Sequence, residues 1–293
     1  MATLRDIKRR IDSVTNTRQI TSAMKMVSTA KLSRAQNAVR AAQSFSEELR
    51  RMVTNISSGM TADDHPLFGS NETGKTVVLI FSSDRGLCGA FNSALNKKVL
   101  ATLREKSDEM TDLEFITIGR VCYDFFRKRG MEIGRSVLYA REAERVEAIK
   151  EIIEDLTTRF LAGEVKRVVL AYNHFKNPLT QEPVMMDLMP IVPPEAEEGA
   201  EDSEQAVDNR GMIFEPDKNK ILDSLLPRYL RNQCFTAHLN TEAGEHGSRM
   251  VAMDGATRNA GEMINSLTLQ YNRVRQAAIT KELIEIVNGA QAL

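Results

Sequence analysis

Tryptophan is absent from this chain, and phenylalanine and tyrosine supply only 16 of its 293 residues. Methionine and alanine are common instead, a bias that favours helix because these side chains lose little rotamer freedom on entering one. Only three cysteines occur, Cys88, Cys122 and Cys234, too far apart for a metal-binding or dithiol redox spacing, as expected for a reducing compartment. No apolar run approaches the roughly 20 residues that span a bilayer. Charge begins at Arg5, so no signal-peptide apolar region is expected, and the chain reads as soluble and intracellular. The net charge is −1, which gives the whole protein no attraction for nucleic acid or for a membrane surface.

Charge is present in blocks. Met1–Met60 carries eleven Lys/Arg against four Asp/Glu, whereas Pro193–Asp208 carries seven acids and no base. Glycine and proline are missing from Thr3 to Ser58. Over that stretch a heptad series runs Leu4, Ile7, Ile11, Val14, Arg18, Thr21, Lys25, Ser28, Leu32, Ala35, Val39, Ala42, Ser46, Leu49, Val53, Ile56, eleven of sixteen apolar. This predicts one long helix, roughly 80 Å at 1.5 Å per residue, with a coiled-coil stripe. Four of the five failures fall between Arg18 and Ser28, where Ile20, Met24 and Val27 sit one position earlier. There the stripe is expected to rotate around the helix.

After a Gly- and Pro-containing break the period changes. "KTVVLIFSS", "LEFITIG" and "VKRVVLAYNHF" read as strands, "EPVMMDLMPIVP" as an edge strand or hairpin arm. "NSALNKKVLATLREK", "VCYDFFRKRG" and "AERVEAIKEIIEDLTTRFLAG" read as the helices between them. Such alternation predicts an α/β unit with a largely parallel sheet. From Asp217 the pattern is helical again, with Pro227 expected to start or kink a helix and "EAGEHGS" expected to be a soft turn. A second heptad series, Met253, Ala256, Ala260, Met263, Leu267, Gln270, Val274, Ala277, Lys281, Ile284, completes the chain. The expected domains are therefore a helix over 1–58, an inserted α/β domain over 59–216 with an acidic loop at 193–211, and a helix over 217–293, the two helices forming an antiparallel coiled coil.

Candidate chemistry is sparse. "SSDRGLCGAFN" follows a strand and precedes a helix, as a phosphate loop does, but its Gly86 and Gly89 match neither dinucleotide nor P-loop spacing. Asp84 would repel a phosphate, so an exposed Asp84-Arg85 tip making a surface contact is the better reading. His65, His174, His238 and His246 are scattered, without zinc spacing, and no G-x-S-x-G elbow is present. The basic first helix could track nucleic acid, but its charges circle the helix and no aromatic residues interleave for stacking. A solvated face, or one meeting acidic protein, fits better.

Three blocks then carry a resemblance that spans the chain: "RDIKRRIDSVTNTRQITSAMKMVSTAKLSRAQ", "SSDRGLCGAFN" and "RMVAMDGATRNAGEMINSLTLQYNRVRQAAITKELIEIVNGA". In order and spacing they are similar to the gamma subunits of bacterial-type F-type ATP synthases. The resemblance implies an antiparallel terminal coiled coil with an inserted Rossmann-like α/β domain, acting as the central-stalk rotor. It implies partners in a ring of three alpha and three beta subunits, an epsilon subunit and a membrane c-ring, with no catalytic site, cofactor, metal or nucleic acid of its own. The expected location is the cytoplasmic face of the bacterial inner membrane, reached only through the complex. It also implies contact of Met24, Lys25, Asp84, Arg85 and Cys88 with the beta lever, of Arg275, Gln276 and Thr280 with a catch loop, and of Met212, Phe214 and Glu215 with the c-ring. The tip "AAITKELIEIVNGAQAL" would sit in an apolar bearing.

Overall fold

The computed structural model describes residues 3–57, 60–61, 64–106, 112–192 and 217–291. Helix α1 runs Leu4–Ser57 without a break, as a stretch free of glycine and proline allows. Then follow β1 (Lys75–Phe81), α2 (Phe91–Glu105), β2 (Leu113–Ile118), α3 (Arg120–Arg127), β3 (Ile133–Val137), α4 (Glu142–Leu161), β4 (Val165–Asn177), β5 (Thr180–Met189) and α5 (Lys218–Gln291). The chain divides into two compact units, one of Met1–Ala30 with Arg249–Leu293 and one of Lys31–Ser248.

In the larger unit the strands form one sheet in the order β3-β2-β1-β4-β5, with every pairing parallel except β4 with β5. This is a Rossmann-like arrangement whose strand order reverses beside β1. β1 is buried along almost its whole length, as a central parallel strand must be. One face packs Val78, Ile80 and Phe115 against Leu95, Val99, Cys122 and Phe126 of α2 and α3. The other packs Val77, Leu79, Ile116 and Leu170 against Ile152, Ile153 and Leu156 of α4, Val53 of α1, and Leu222, Leu226 and Leu230 of α5. The terminal helices thus enter the core of the α/β domain. Strand β3 is not among the strands the sequence pattern predicts. It is a five-residue edge strand, half exposed, whose Gly134 leaves room for the buried Glu114 side chain. Glu114 is held by a bidentate pair with Arg159 at 2.7 and 3.1 Å.

Helix α5 begins at Lys218 and carries Pro227 inside it, so of the two roles expected for that proline, starting a helix or kinking one, the first does not apply. The helix is unbroken through "EAGEHGS", where Ala243, Gly244, His246 and Gly247 are buried.

In the smaller unit the α1 and α5 segments pair antiparallel. Thr257 Oγ1 donates to Thr21 Oγ1 at 2.8 Å, and Lys25 Nζ meets Asp254 at 2.6 Å, so numbers fall on one helix as they rise on the other. Burial on α5 recurs every seven residues, at Met253, Ala260 and Leu267, which is a coiled-coil seam. On α1 the seam does not rotate as expected. Thr21 and Ser28 stay buried at their heptad positions, while Ile20, Met26 and Val27 are about 60% exposed. Small polar residues let the two backbones approach, and the apolar side chains are left outside.

Candidate functional site

The loop after β1 looks like a phosphate cradle, and the chain fills it itself. Asp84 Oδ1 accepts the N–H groups of Arg120, at the start of α3, and of Tyr139, both at 3.1 Å. Its Oδ2 accepts from Arg145 of α4 at 2.6 Å. A helix N-terminus, two backbone N–H groups and a guanidinium are the donors a phosphate would use. Here a carboxylate of the same chain holds them. Deeper in, Ser83 N–H donates to Asn92 Oδ1 at 3.2 Å, and Asn92 Nδ2 donates back to Ser83 Oγ at 2.7 Å. Asn173 Nδ2 ties down the Phe91 carbonyl at 3.1 Å.

The reading of an exposed Asp84-Arg85 tip is corrected for Asp84, while Arg85 is exposed. The Asp84 side chain is only 14% exposed and that of Arg145 17%, because their pairing carries both inward. Cys88 is buried against Ser83 and Asn92, where its thiol touches neighbours of its own chain. What the loop presents outward is Arg85, Gly86 and Leu87. Leu87 has φ +62° and Tyr139 φ +52°, left-handed conformations that cost a branched or aromatic residue and that Asp84 holds in place at Tyr139. The Tyr139 ring lies under the Arg120 guanidinium, which also donates to its hydroxyl.

On the paired helices Met24 and Lys25 are half-buried. Lys25 is engaged by Asp254, and this hydrogen bond, with Arg258 beyond it, holds the Asp254 carboxyl below the usual carboxylate range. Arg18, Gln19 and Ser22 of α1 with Thr257, Arg258 and Gly261 of α5 line an open groove. Farther along α5, Arg275, Gln276 and Thr280 are all exposed, and Thr280 Oγ1 donates to the Gln276 carbonyl at 2.9 Å. Ile279, Leu283, Ile284, Ile286 and Val287 expose apolar surface beside them. Met212, Phe214 and Glu215 lie outside the described residues, as does the acidic loop.

Sequence reasoning missed Asp254 and Arg145, the two partners that decide what Lys25 and Asp84 do. Asp254 could have been flagged as the one acid in "MVAMDGA", an otherwise small and apolar run. Nothing local marks Arg145. Among the described residues no three His, Cys, Asp or Glu side chains group to hold a metal, and no helix is long and apolar enough to cross a membrane. His65 is buried with its Nδ1 accepting the Leu67 N–H and its Nε2 3.2 Å from Asp223, a structural arrangement. His238 is buried, and desolvation with Arg145 nearby pushes its pKa down to about 4.

The comparisons with known proteins agree on the lineage. The profile of the ATP synthase family matches residues 3–293. The "ATP synthase gamma chain" of Anaeromyxobacter sp. is 44% identical over the whole of both chains, and that of Pelotomaculum thermopropionicum 43%, again over both in full. Among solved structures, a chain of the Euglena gracilis mitochondrial ATP synthase (OSCP/F1/c-ring, rotational state 3) has a TM-score of 0.68 at 18% identity, covering 99% of this chain and 94% of that one. A chain of the rotor of the same enzyme in rotational state 1 has a TM-score of 0.65, with 94% and 98% coverage. At that identity these two speak to the fold; the bacterial relatives and the profile speak to descent. The chain belongs to the gamma-chain family of ATP synthases.

Proposed function

We propose that this chain is the central-stalk rotor of a bacterial F-type ATP synthase, turning inside a ring of three alpha and three beta subunits. In this reading the chain breaks no bonds, and it works as terminal helices 1–58 and 217–293 around an inserted domain 59–216. The observation that carries it is the antiparallel helix pair, joined by Thr21–Thr257 and Lys25–Asp254, that leaves Ile20, Met26, Val27, Ile279, Leu283, Ile284, Ile286 and Val287 exposed. A two-helix shaft with apolar residues left outside is suited to sliding contact within a surrounding protein sleeve. One shaft orientation would bias each beta site differently, which is coupling by differential contact.

Met24 and its neighbours Met26 and Val27 supply the face for the beta lever. Lys25 shares its charge with Asp254, so its pull on an acidic lever is weak, as exposed pairs are in general. Arg85 and Leu87 supply the second lever contact, with Asp84 and Cys88 shaping the loop from behind. Arg275, Gln276 and Thr280, exposed on α5, would meet a catch loop, and Met212, Phe214 and Glu215, outside the described residues, would meet a c-ring. Association with epsilon and the c-ring would hold the chain at the cytoplasmic face of the inner membrane, peripherally.

Reconstitution of the chain with its cognate alpha and beta subunits tests this. Mg-ATP should drive unidirectional rotation of a bead fixed to the α/β domain. A ring that hydrolyses ATP identically with and without the chain would sink the proposal. Tight stoichiometric binding of ATP or NADH by the isolated chain would favour instead an α/β enzyme with helical arms.

A further inference from the structure

Glycine is the poorest helix former after proline, yet α5 carries Gly244 and Gly247 within one turn of a buried stretch. Their surroundings give the reason. A Cβ on Gly244 would lie 2.7 Å from Phe91 Cε2 and 3.3 Å from Gln181 Cγ. One on Gly247 would lie 3.1 Å from Pro178 Cα and 3.3 Å from Phe175 Cε2. Phe175, Pro178 and Gln181 belong to the β4–β5 hairpin, and Phe91 opens α2. Asn240, Gly244 and Ser248 follow one another at four-residue spacing and Gly247 lies three beyond Gly244, so all four fall on one side of the helix.

Polar bonds close both ends of this face. Phe175 N–H donates to Asn240 Oδ1 at 3.0 Å, and Asn240 Nδ2 donates to the Thr236 carbonyl at 2.8 Å, which fixes the amide. At the other end Ser248 Oγ donates to Gln181 Oε1 at 2.6 Å. Gln181 Nε2 in turn donates to the Asn177 and Pro178 carbonyls, both at 3.0 Å, so the bond reaches the hairpin turn itself.

We infer that Gly244 and Gly247 form a notch in α5 that clasps the β4–β5 hairpin and Phe91, so that the α/β domain cannot turn about this helix under load. Two smooth apolar faces slide over one another. A ring and a proline seated in a notch cannot, because repulsion rises steeply once their atoms leave the fitted position. Force applied to the sheet passes through the β4 ladder into the hairpin and from there into α5. The residues are positioning residues for energy coupling, and the inference rests on the rotor reading above.

The test uses the complete ATP synthase in inverted membrane vesicles, with ATP hydrolysis and ATP-driven ion uptake measured on the same preparation. Gly244→Ala should leave hydrolysis active and lower ion uptake per ATP at least about twofold, since an added methyl at 2.7 Å forces Phe91 from its seat. Adding Phe91→Leu should restore the ratio, which a mere change in helix propensity would not allow. Gly255→Ala, where an added Cβ meets nothing within 4 Å, should behave as wild type. An unchanged ratio in Gly244→Ala, or no restoration by Phe91→Leu, overturns the clasp. If Gly244→Ala fails to assemble, the ratio is read on Gln181→Ala, which breaks the Ser248 bond. A lowered ratio there supports the clasp and a wild-type ratio overturns it. Wild-type vesicles that take up no ion would reject the rotor reading instead.

Discussion

Replacing Asp84 with asparagine separates a structural carboxylate from a surface contact. The amide keeps an acceptor for the N–H groups of Arg120 and Tyr139, so the change removes charge and leaves the loop its hydrogen bonds. Arg145 is then stranded. Its Nη2 retains only the Ala140 carbonyl at 3.3 Å, and its Nε is buried without a partner among the described residues. Stranding one member of a buried pair costs about 3–5 kcal/mol. With side chains 14% and 17% exposed, water recovers part of that, which leaves about 2–4 kcal/mol. Thermal and urea unfolding of the full chain, followed by circular dichroism, should show it as a drop in Tm of roughly 5–10 °C. Arg145→Met combined with Asp84→Asn should recover most of the loss, because the uncompensated charge is gone. Stability within about 0.5 kcal/mol of wild type, as expected of an ordinary surface residue, would refute the argument. So would a double variant as unstable as the sum of the two single ones.

Other outcomes follow from the same geometry. Lys25→Asp should weaken the helix pair by placing two acids face to face, and adding Asp254→Lys should restore it; restored assembly with the ring is the readout, and equal defects in single and double variants would count against a register role. His238 is held neutral, with its pKa lowered to about 4 from an ordinary 6.5, so the unfolded chain takes up its proton first as pH falls. The neutral-pH stability is therefore complete above about 6.5 and lost progressively towards pH 4, by up to about 3 kcal/mol, and His238→Met should flatten that part of the stability profile measured by urea titration. All three thiols are buried, Cys122 pushed up to about 12 and Cys234 also raised by desolvation. A maleimide reagent should label none of them in the folded chain and all three in urea; rapid native labelling of Cys88 would mean the loop opens.

Much of the architecture is legible in the residues. A 54-residue helix follows from a stretch without glycine or proline and with a seven-residue apolar repeat, and the buried central strands follow from "TVVLIF" and "VVLAY". β3 escapes because an edge strand of alternating exposure with a glycine carries too little apolar signal in five residues. The seam of α1 is misread between Arg18 and Ser28 for a different reason. Periodicity assumes that apolar residues seek the interior of the chain itself, whereas Ile20 and Val27 are left outside and Thr21 and Ser28 are buried.

For the site, the residue spacing carries no zinc, nucleophile-elbow or nucleotide-loop motif. It does not tell which way a side chain faces. Asp84 looks like part of an exposed Asp84-Arg85 tip because its loop is polar and glycine-bearing, but Arg145, 61 residues later, draws the carboxylate inward.

The sequence by itself determined the lineage, the long helices and the parallel sheet, since each rests on local periodicity or on motifs read along the chain. Only the tertiary structure decided what Asp84, Lys25, Gly244 and Gly247 meet. Their partners are Arg145, Asp254, Phe91 and the β4–β5 hairpin, remote in the chain and brought near by folding. Charge pairing and close packing depend on distances of a few ångströms, which one-dimensional spacing does not encode.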